Sequence, residues 1–239
     1  MGFDFEVLVC KPPFLVNSYF FFEREAKKFM LLDPGDGAAD KTREYLDQGY
    51  KLDKILITHV HADHTWDLLK LTQLASDAEI VLHRDEQYLI DNYVELTRMF
   101  GLMQFDPLPD LSSAHFVEQG DVLEFADKKF TVLHVPGHTR GHIAFYTGDA
   151  DIAFKGDALE ASPADASGYC FVGDVIFQGG VGRTDLPGGN EQTLAESIKN
   201  KIYKLPDKTI LYNGHGNETT VAIEKENNFF VGKQGFYSI

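Results

Sequence analysis

The chain has 239 residues, 44% of them apolar and 25% charged, ordinary proportions for a folded globular protein rather than a disordered, collagen-like or coiled-coil one. Asp and Glu number 37 against 22 Lys and Arg, a net charge of −15. So acidic a surface repels phosphate backbones and excludes a sequence-independent grip on nucleic acid.

The elements follow in chain order from apolar patterning and turn chemistry. Residues 3–10 and 14–22, rich in Val, Phe and Tyr, read as strands, with 29–32 a third after a polar tip. The turn cluster 33–37 ends this meander, and 38–46 reads as a helix stopped at Gly49. Residues 54–58 form a buried strand, 65–75 a helix, 79–83 a strand and 85–100 a helix. In the second half, 121–125 and 130–135 make a hairpin, 142–147 continues a sheet, and 158–168 is a small, polar surface loop. Residues 191–203 read as a helix, 209–212 as a strand and 218–227 as a last helix. Strands first, then strand and helix mixed, twice over, predict an α+β or α/β sandwich with outer helices. No linker divides the chain, so one domain over 1–239 is expected.

Cys10 and Cys170 lie 160 positions apart and neither belongs to a C-x-x-C pair. No disulfide framework or thiolate zinc site is indicated, and a reducing compartment is the default. The first six residues carry acids where a signal peptide carries bases. The longest apolar runs, such as 18–22, are far below the roughly 18 residues of a spanning helix. The expectation is a soluble, cytoplasmic protein with no membrane and no nucleic-acid partner.

The chemistry concentrates in Thr58-His59-Val60-His61-Ala62-Asp63-His64, directly after the buried strand. Side chains two apart on extended backbone point the same way, so His59 and His61 can grip one cation from one side. Asp63 and His64, where the chain turns, can reach a second. Neutral imidazoles with carboxylates suit Zn, Fe or Mn better than Ca or Mg. His138, in Gly137-His138-Thr139-Arg140-Gly141-His142, and His215, in Asn213-Gly214-His215-Gly216, also follow strands. Alone each is more often a turn histidine; three strand-end loops with histidine point to one shared site. His142 is expected to pack or hydrogen-bond against its strand. His83, His115 and His134 show no partner in the sequence.

T-H-x-H-x-D-H, G-H-T-x-G-H, a later G-D and a final G-H-G resemble the metallo-β-lactamase superfamily, over nearly the whole chain from Asp33-Pro34-Gly35 to Asn228-Phe229. Gly173-Asp174-Val175-Ile176-Phe177, then Gly182-Arg183-Thr184-Asp185-Leu186-Pro187-Gly188-Gly189, and Thr97-Arg98-Met99-Phe100-Gly101-Leu102 are similar to the single-domain glyoxalase II-type hydrolases. The resemblance implies a four-layer αββα sandwich of two mixed sheets. It implies His59, His61 and His138 on one metal, Asp63, His64 and His215 on the other, and a bridging aspartate. Asp157 and Asp174 both follow Gly after an apolar run, 17 residues apart. The usual spacing from the G-H-T histidine favours Asp157; the downstream match favours Asp174, which is chosen, with an insertion around 157–173. Asp33 either forms a turn or orients a ligand histidine. Arg183 and Asp185 are expected to pair and brace their loop. Arg140 is either a solvated side chain or a greeter of an anionic substrate at the rim.

What the resemblance implies is a dinuclear metal hydrolase, with two divalent ions, zinc first and iron or manganese next. Asp63 and Asp174 count as catalytic because they would hold or orient the ionised water. A thiolate leaves readily without a strong general acid, so a small-molecule thioester of the S-lactoylglutathione kind is the first substrate choice. No Ser/His/Asp arrangement or G-x-S-x-G turn competes. Two-domain glyoxalase II enzymes bind glutathione partly through a C-terminal helical region that this sequence lacks. The alternatives are a mononuclear-iron persulfide dioxygenase and a lactone or β-lactam hydrolase of the same superfamily; a metal-binding scaffold without catalysis would need a damaged donor set.

Overall fold

The structure is a computed structural model that describes residues 3–99, 101–102, 104–149, 153–154 and 166–237. The chain divides into two compact units, the first of residues up to 117 with 153–154, the second of residues from 118 onward without them. Each is built on a mixed sheet that carries helices, as expected.

In the first unit β1 (Phe3–Val9), β2 (Asn17–Glu23) and β3 (Lys28–Leu32) form the antiparallel meander. Then β4 (Lys51–Leu56), β5 (Glu79–His83) and β6 (His115–Val117) add in parallel beyond β3, and β10 (Ala153–Phe154) pairs in parallel with β1. Parallel neighbours leave the sheet at the same end, which collects the loops after β3, β4 and β5. On one sheet face Phe20, Phe22, Phe29, Leu31 and Ile55 pack with residues of α1 (Ala38–Asp47) and α2 (Leu68–Leu74). A fully buried Phe or Leu contributes roughly 1.5–3 kcal/mol relative to exposure, so this aromatic row anchors the unit. Asp4 is buried but answered by Arg24, whose Nη2 lies 2.7 Å from its carboxylate and whose guanidinium stacks 3.8 Å over the Phe22 ring.

The expected helix over 65–75 is shorter. Residues 65–67 form a turn because the Asp67 carboxylate is taken: its Oδ2 accepts the Gly37 and Ala39 amides (2.9 and 3.0 Å) at the start of α1, and its Oδ1 accepts Lys70. The expected helix over 85–100 is broken into a 3-10 turn (Arg84–Glu86), α3 (Gln87–Asp91) and α4 (Tyr93–Met99). Residues 14 and 15 are not strand; Val16 makes a single bridge, and β2 begins at Asn17.

In the second unit β7 (Val122–Phe125), β8 (Lys128–His134) and β9 (Ile143–Thr147) run antiparallel. Next come β11 (Tyr169–Gly173), β14 (Ile210–Asn213) and β15 (Thr219–Thr220), with β11 and β14 parallel. The helix α5 (Glu191–Asn200) starts on an Asn190 side chain that accepts the Thr193 amide, and it buries Leu194, Ala195 and Ile198 against Val135, Val172 and Leu211. A two-stranded ribbon, β12 (Ile176–Phe177) with β13 (Gly180–Val181), and α6 (Val221–Asn227) complete the unit. The expected loop over 158–168 lies largely outside the described residues. Among the described residues no helix is long and apolar enough to cross a membrane.

Candidate metal centre

In the first unit the donor loop is held from below by Asp33. The residue follows β3, where its amide pairs with the Leu56 carbonyl (2.9 Å), and it adopts φ +50°, a left-handed conformation that carries a cost for a non-glycine residue. The strained turn aims a buried carboxylate at the end of β4. Its Oδ1 accepts the Thr58 amide (2.8 Å), and its Oδ2 accepts both the Thr58 hydroxyl (2.7 Å) and His64 Nδ1–H (2.9 Å). Asp33 therefore orients a histidine and is more than a turn former.

The same network fixes a second imidazole. Thr58 has one hydroxyl proton and gives it to the acceptor-only Asp33, so the 3.0 Å contact to His59 is donated by Nδ1–H. That leaves a lone pair on His59 Nε2, which faces His61 Nδ1 at 3.0 Å. Two imidazole nitrogens on one tetrahedral zinc, at about 2.0–2.1 Å each, stand about 3.3 Å apart. His64, with Nδ1 committed to Asp33, turns Nε2 toward Asp63 Oδ2 at 3.8 Å. His59 and His64 are fully buried.

Behind Asp33, Ser18 donates to its carbonyl (2.5 Å) and accepts the Gly35 amide (3.1 Å), so the 3.1 Å contact with Cys10 is donated by the thiol. Burial pushes the Cys10 thiol up to about 11. Gly35 is required by space: a Cβ there would lie 2.2 Å from Val16 Cγ1 and 2.7 Å from Cys10 Sγ.

In the second unit the turn between β8 and β9 is closed by the Val135 amide on the His142 carbonyl (2.8 Å) and carries His138. His138 Nδ1–H donates to the Arg183 carbonyl at 2.7 Å, which again leaves Nε2 with the lone pair. The parallel pairing of β11 and β14 puts Gly173 opposite Asn213, so the chain ends that follow, with Asp174 and His215, emerge side by side. Asp174 Oδ2 lies 3.5 Å from His215 Nε2 and 3.9 Å from His138 Nε2. One carboxylate oxygen thus faces a histidine from each of the two expected ligand trios. Asp157, the alternative, lies outside the described residues.

His142 is fully buried, but its Nε2 reaches past its own strand to accept the Asp174 amide at 3.1 Å. Space also demands glycine at Gly182, since a Cβ there would fall 1.8 Å from the Asp174 carbonyl oxygen and 3.0 Å from His138 Nδ1. The ribbon that carries Gly182 and Arg183 is pinned by the fully buried Glu224. Its Oε2 accepts the Gly179 amide (3.0 Å) and Asn228 Nδ2 (2.7 Å), and its Oε1 accepts Thr219 (2.6 Å). Arg183 and Asp185 form the expected two-pronged pair (2.7 and 2.8 Å), which holds the Asp185 carboxyl down to about 2. Arg140 is exposed, and its carbonyl accepts His134 Nε2–H at 2.9 Å.

The three histidines without an evident partner in the sequence each have one. Besides His134, His83 Nδ1 accepts the Asp85 amide (3.1 Å) and His115 pairs with Glu79 (2.8 Å). Sequence reasoning also missed Ser18 and Glu224, ordinary residues whose roles depend on contacts 15 and 45 positions away, and the bond of the motif's Thr58 to Asp33.

These donors fit divalent metal ions of the zinc and iron class. Nδ1 of His59, His64 and His138 is committed to a hydroxyl, carboxylate or carbonyl, and the other nitrogen carries the lone pair, the pattern that orients metal-ligating imidazoles.

The family profile described as the metallo-beta-lactamase superfamily matches residues 12–169. The chain belongs to the metallo-β-lactamase superfamily. As a superfamily member it is a metal-dependent hydrolase of α+β fold whose His and Asp clusters suit divalent ions. It is 33% identical over 211 residues, 88% of this chain and 90% of the relative, to "Hydroxyacylglutathione hydrolase GloC" of Haemophilus influenzae. Among solved structures it resembles the BLEG-1 B3 metallo-beta-lactamase, with a TM-score of 0.76 and 29% identity over 95% of this chain and 100% of that one. It also resembles TTHA1623 in a di-iron-bound form, with a TM-score of 0.74 and 30% identity over 93% and 98%.

Proposed function

We propose that this superfamily member is a thioester hydrolase of the glyoxalase II type, working as one domain and acting on S-lactoylglutathione or a related acyl-thiol. His59, His61 and His138 would hold one divalent cation, Asp63, His64 and His215 the other, and Asp174 would bridge them. The observation that carries the reading is Asp174 Oδ2 facing Nε2 of both His138 and His215, as a bridging carboxylate requires. It is supported by the donors inside each unit: in the first, His59 Nε2 faces His61 Nδ1 at 3.0 Å and His64 Nε2 faces Asp63 Oδ2 at 3.8 Å. Similarity to the GloC hydrolase supports the substrate class.

When bound, the cations supply a water ionised near neutral pH and a Lewis acid for the substrate carbonyl. The chain's own residues do the positioning. Asp33 and the Arg183 carbonyl fix His64 and His138 from behind, and His142 fixes the backbone of Asp174. Asp63 carries the carboxylate that would orient the attacking water. Zinc is the first choice of metal, and iron or manganese suit the same donors. A cytoplasmic location is part of the proposal, supported by two buried, free thiols.

The test is metal analysis of the purified protein together with turnover of S-lactoylglutathione. Two metals per chain with thioester hydrolysis is expected. A two-metal preparation inert on every thioester yet active on a lactone would overturn the substrate assignment. One bound iron with oxygen consumption on a persulfide would overturn both the substrate and the metal count.

A further inference from the structure

The segment 84–99 supplies none of the proposed metal ligands, yet it grips the His59–His61 loop from two sides. The parallel pairing of β4 and β5 ends with the Ile57 amide on the Val81 carbonyl (2.9 Å), and both chains leave the sheet at that end. Three residues on is Val60; five residues past Val81 is Glu86, at the close of the 3-10 turn that His83 starts by accepting the Asp85 amide. Glu86 is 1% exposed, and its Oε2 accepts the Val60 amide at 2.7 Å. That amide lies on the residue between two histidines whose nitrogens stand 3.0 Å apart.

The other side is held through a relay. Thr65 donates its hydroxyl proton to the His61 carbonyl (2.9 Å), so the 3.1 Å contact with Tyr93 is donated by the phenol. Leu89, Tyr93, Leu96 and Thr97 close over Val60, His61 and Ala62 around a cavity of about 20 Å³. Such a space admits one water at most, so the loop has little room to move.

We propose that Glu86 and Tyr93 are positioning residues that set the bite of His59 and His61, and so the metal affinity of that half of the centre. The proposal rests on the reading above only in taking both histidines as ligands of one cation. The backbone dihedrals around Val60 decide where both imidazoles point. A carboxylate on the Val60 amide and a hydroxyl relay on the His61 carbonyl hold the two peptide groups on either side of the Val60–His61 link.

The test uses the full chain loaded with zinc, and separately with cobalt(II), in wild type, Glu86→Ala, Glu86→Gln and Tyr93→Phe. Zinc per chain is measured across a series of chelator-buffered zinc concentrations, and the visible absorption of the cobalt form reports ligand geometry. Glu86→Ala is expected to lose one zinc equivalent at roughly 10–100-fold higher free zinc, with an altered cobalt spectrum. Glu86→Gln, which keeps an acceptor oxygen, should stay within about twofold of wild type. Tyr93→Phe should weaken the same equivalent by roughly tenfold. A merely structural role would lower the thermal stability of metal-free and loaded protein alike and leave the cobalt spectrum unchanged. Wild-type zinc release and spectrum in Glu86→Ala overturn the proposal. If Glu86→Ala does not fold, the same result in Tyr93→Phe overturns it. A wild type that takes up no zinc would refute the ligand assignment itself.

Discussion

Asp33 Oδ2 and His64 Nδ1 are 2.9 Å apart, both groups are buried, and the same oxygen also accepts the hydroxyl that holds His59. One side chain therefore sets the tautomers of two imidazoles. Asp33→Asn keeps the shape but offers one acceptor oxygen where two are used. It is expected to lower metal affinity about 10–100-fold, read as metal per chain after dialysis against chelator. Full retention of metal in a folded variant would show that Asp33 serves only its turn.

Asp174 and Asp157 make a paired comparison. Asp174→Asn removes charge from the oxygen that faces His138 and His215, so metal content and thioester turnover should both fall steeply, by at least about 100-fold in turnover. Asp157→Asn should behave within about threefold of wild type, as ordinary substitutions away from a site do. Equal or reversed losses would move the bridge to Asp157.

Gly182→Ala tests the close approach of the ribbon to the centre. A Cβ 1.8 Å from the Asp174 carbonyl oxygen forces backbone apart, at a cost of at least about 1–3 kcal/mol. The expected outcome is a lower melting temperature together with partial metal loss, because Asp174 and His138 flank the displaced atoms. A normal melting curve and full metal content would contradict that geometry.

The cysteines predict a pH dependence with a definite sign. Burial raises the folded Cys10 thiol from 9.0 to about 11, so an unfolded chain ionises it first. Its contribution to stability is complete below pH 9 and is lost as pH rises toward 11. The buried Cys170 thiol is raised in the same direction. Neither should react with iodoacetamide at pH 8 in the folded protein, and both should react in denaturant, as mass spectrometry can read. Rapid labelling of Cys10 in the native state would refute this burial.

Much of the centre was legible because its donors are rare residue types at short spacing. His59, His61, Asp63 and His64 sit within six positions, and an extended segment after a strand leaves few ways to arrange them. The strands were legible for a similar reason, since Phe-rich runs such as 17–23 announce themselves. What escaped was long-range hydrogen bonding. Nothing about Glu86 or Glu224 marks them in the sequence; their importance comes from a neighbour 26 or 45 positions away. The helix expected over 85–100 failed locally: Asn92 ends α3, and the chain restarts at Tyr93. Residues 65–67 failed for a tertiary reason, because Asp67 serves a different helix.

Three positions after His64, Asp67 is moored to the first amides of α1, and Lys70 ties its other oxygen. The short tether between histidine and aspartate has no slack. Lengthening it by a single residue would tug on the helix or swing the imidazole, so insertions there should be far harder for the molecule to absorb than insertions in its outer loops.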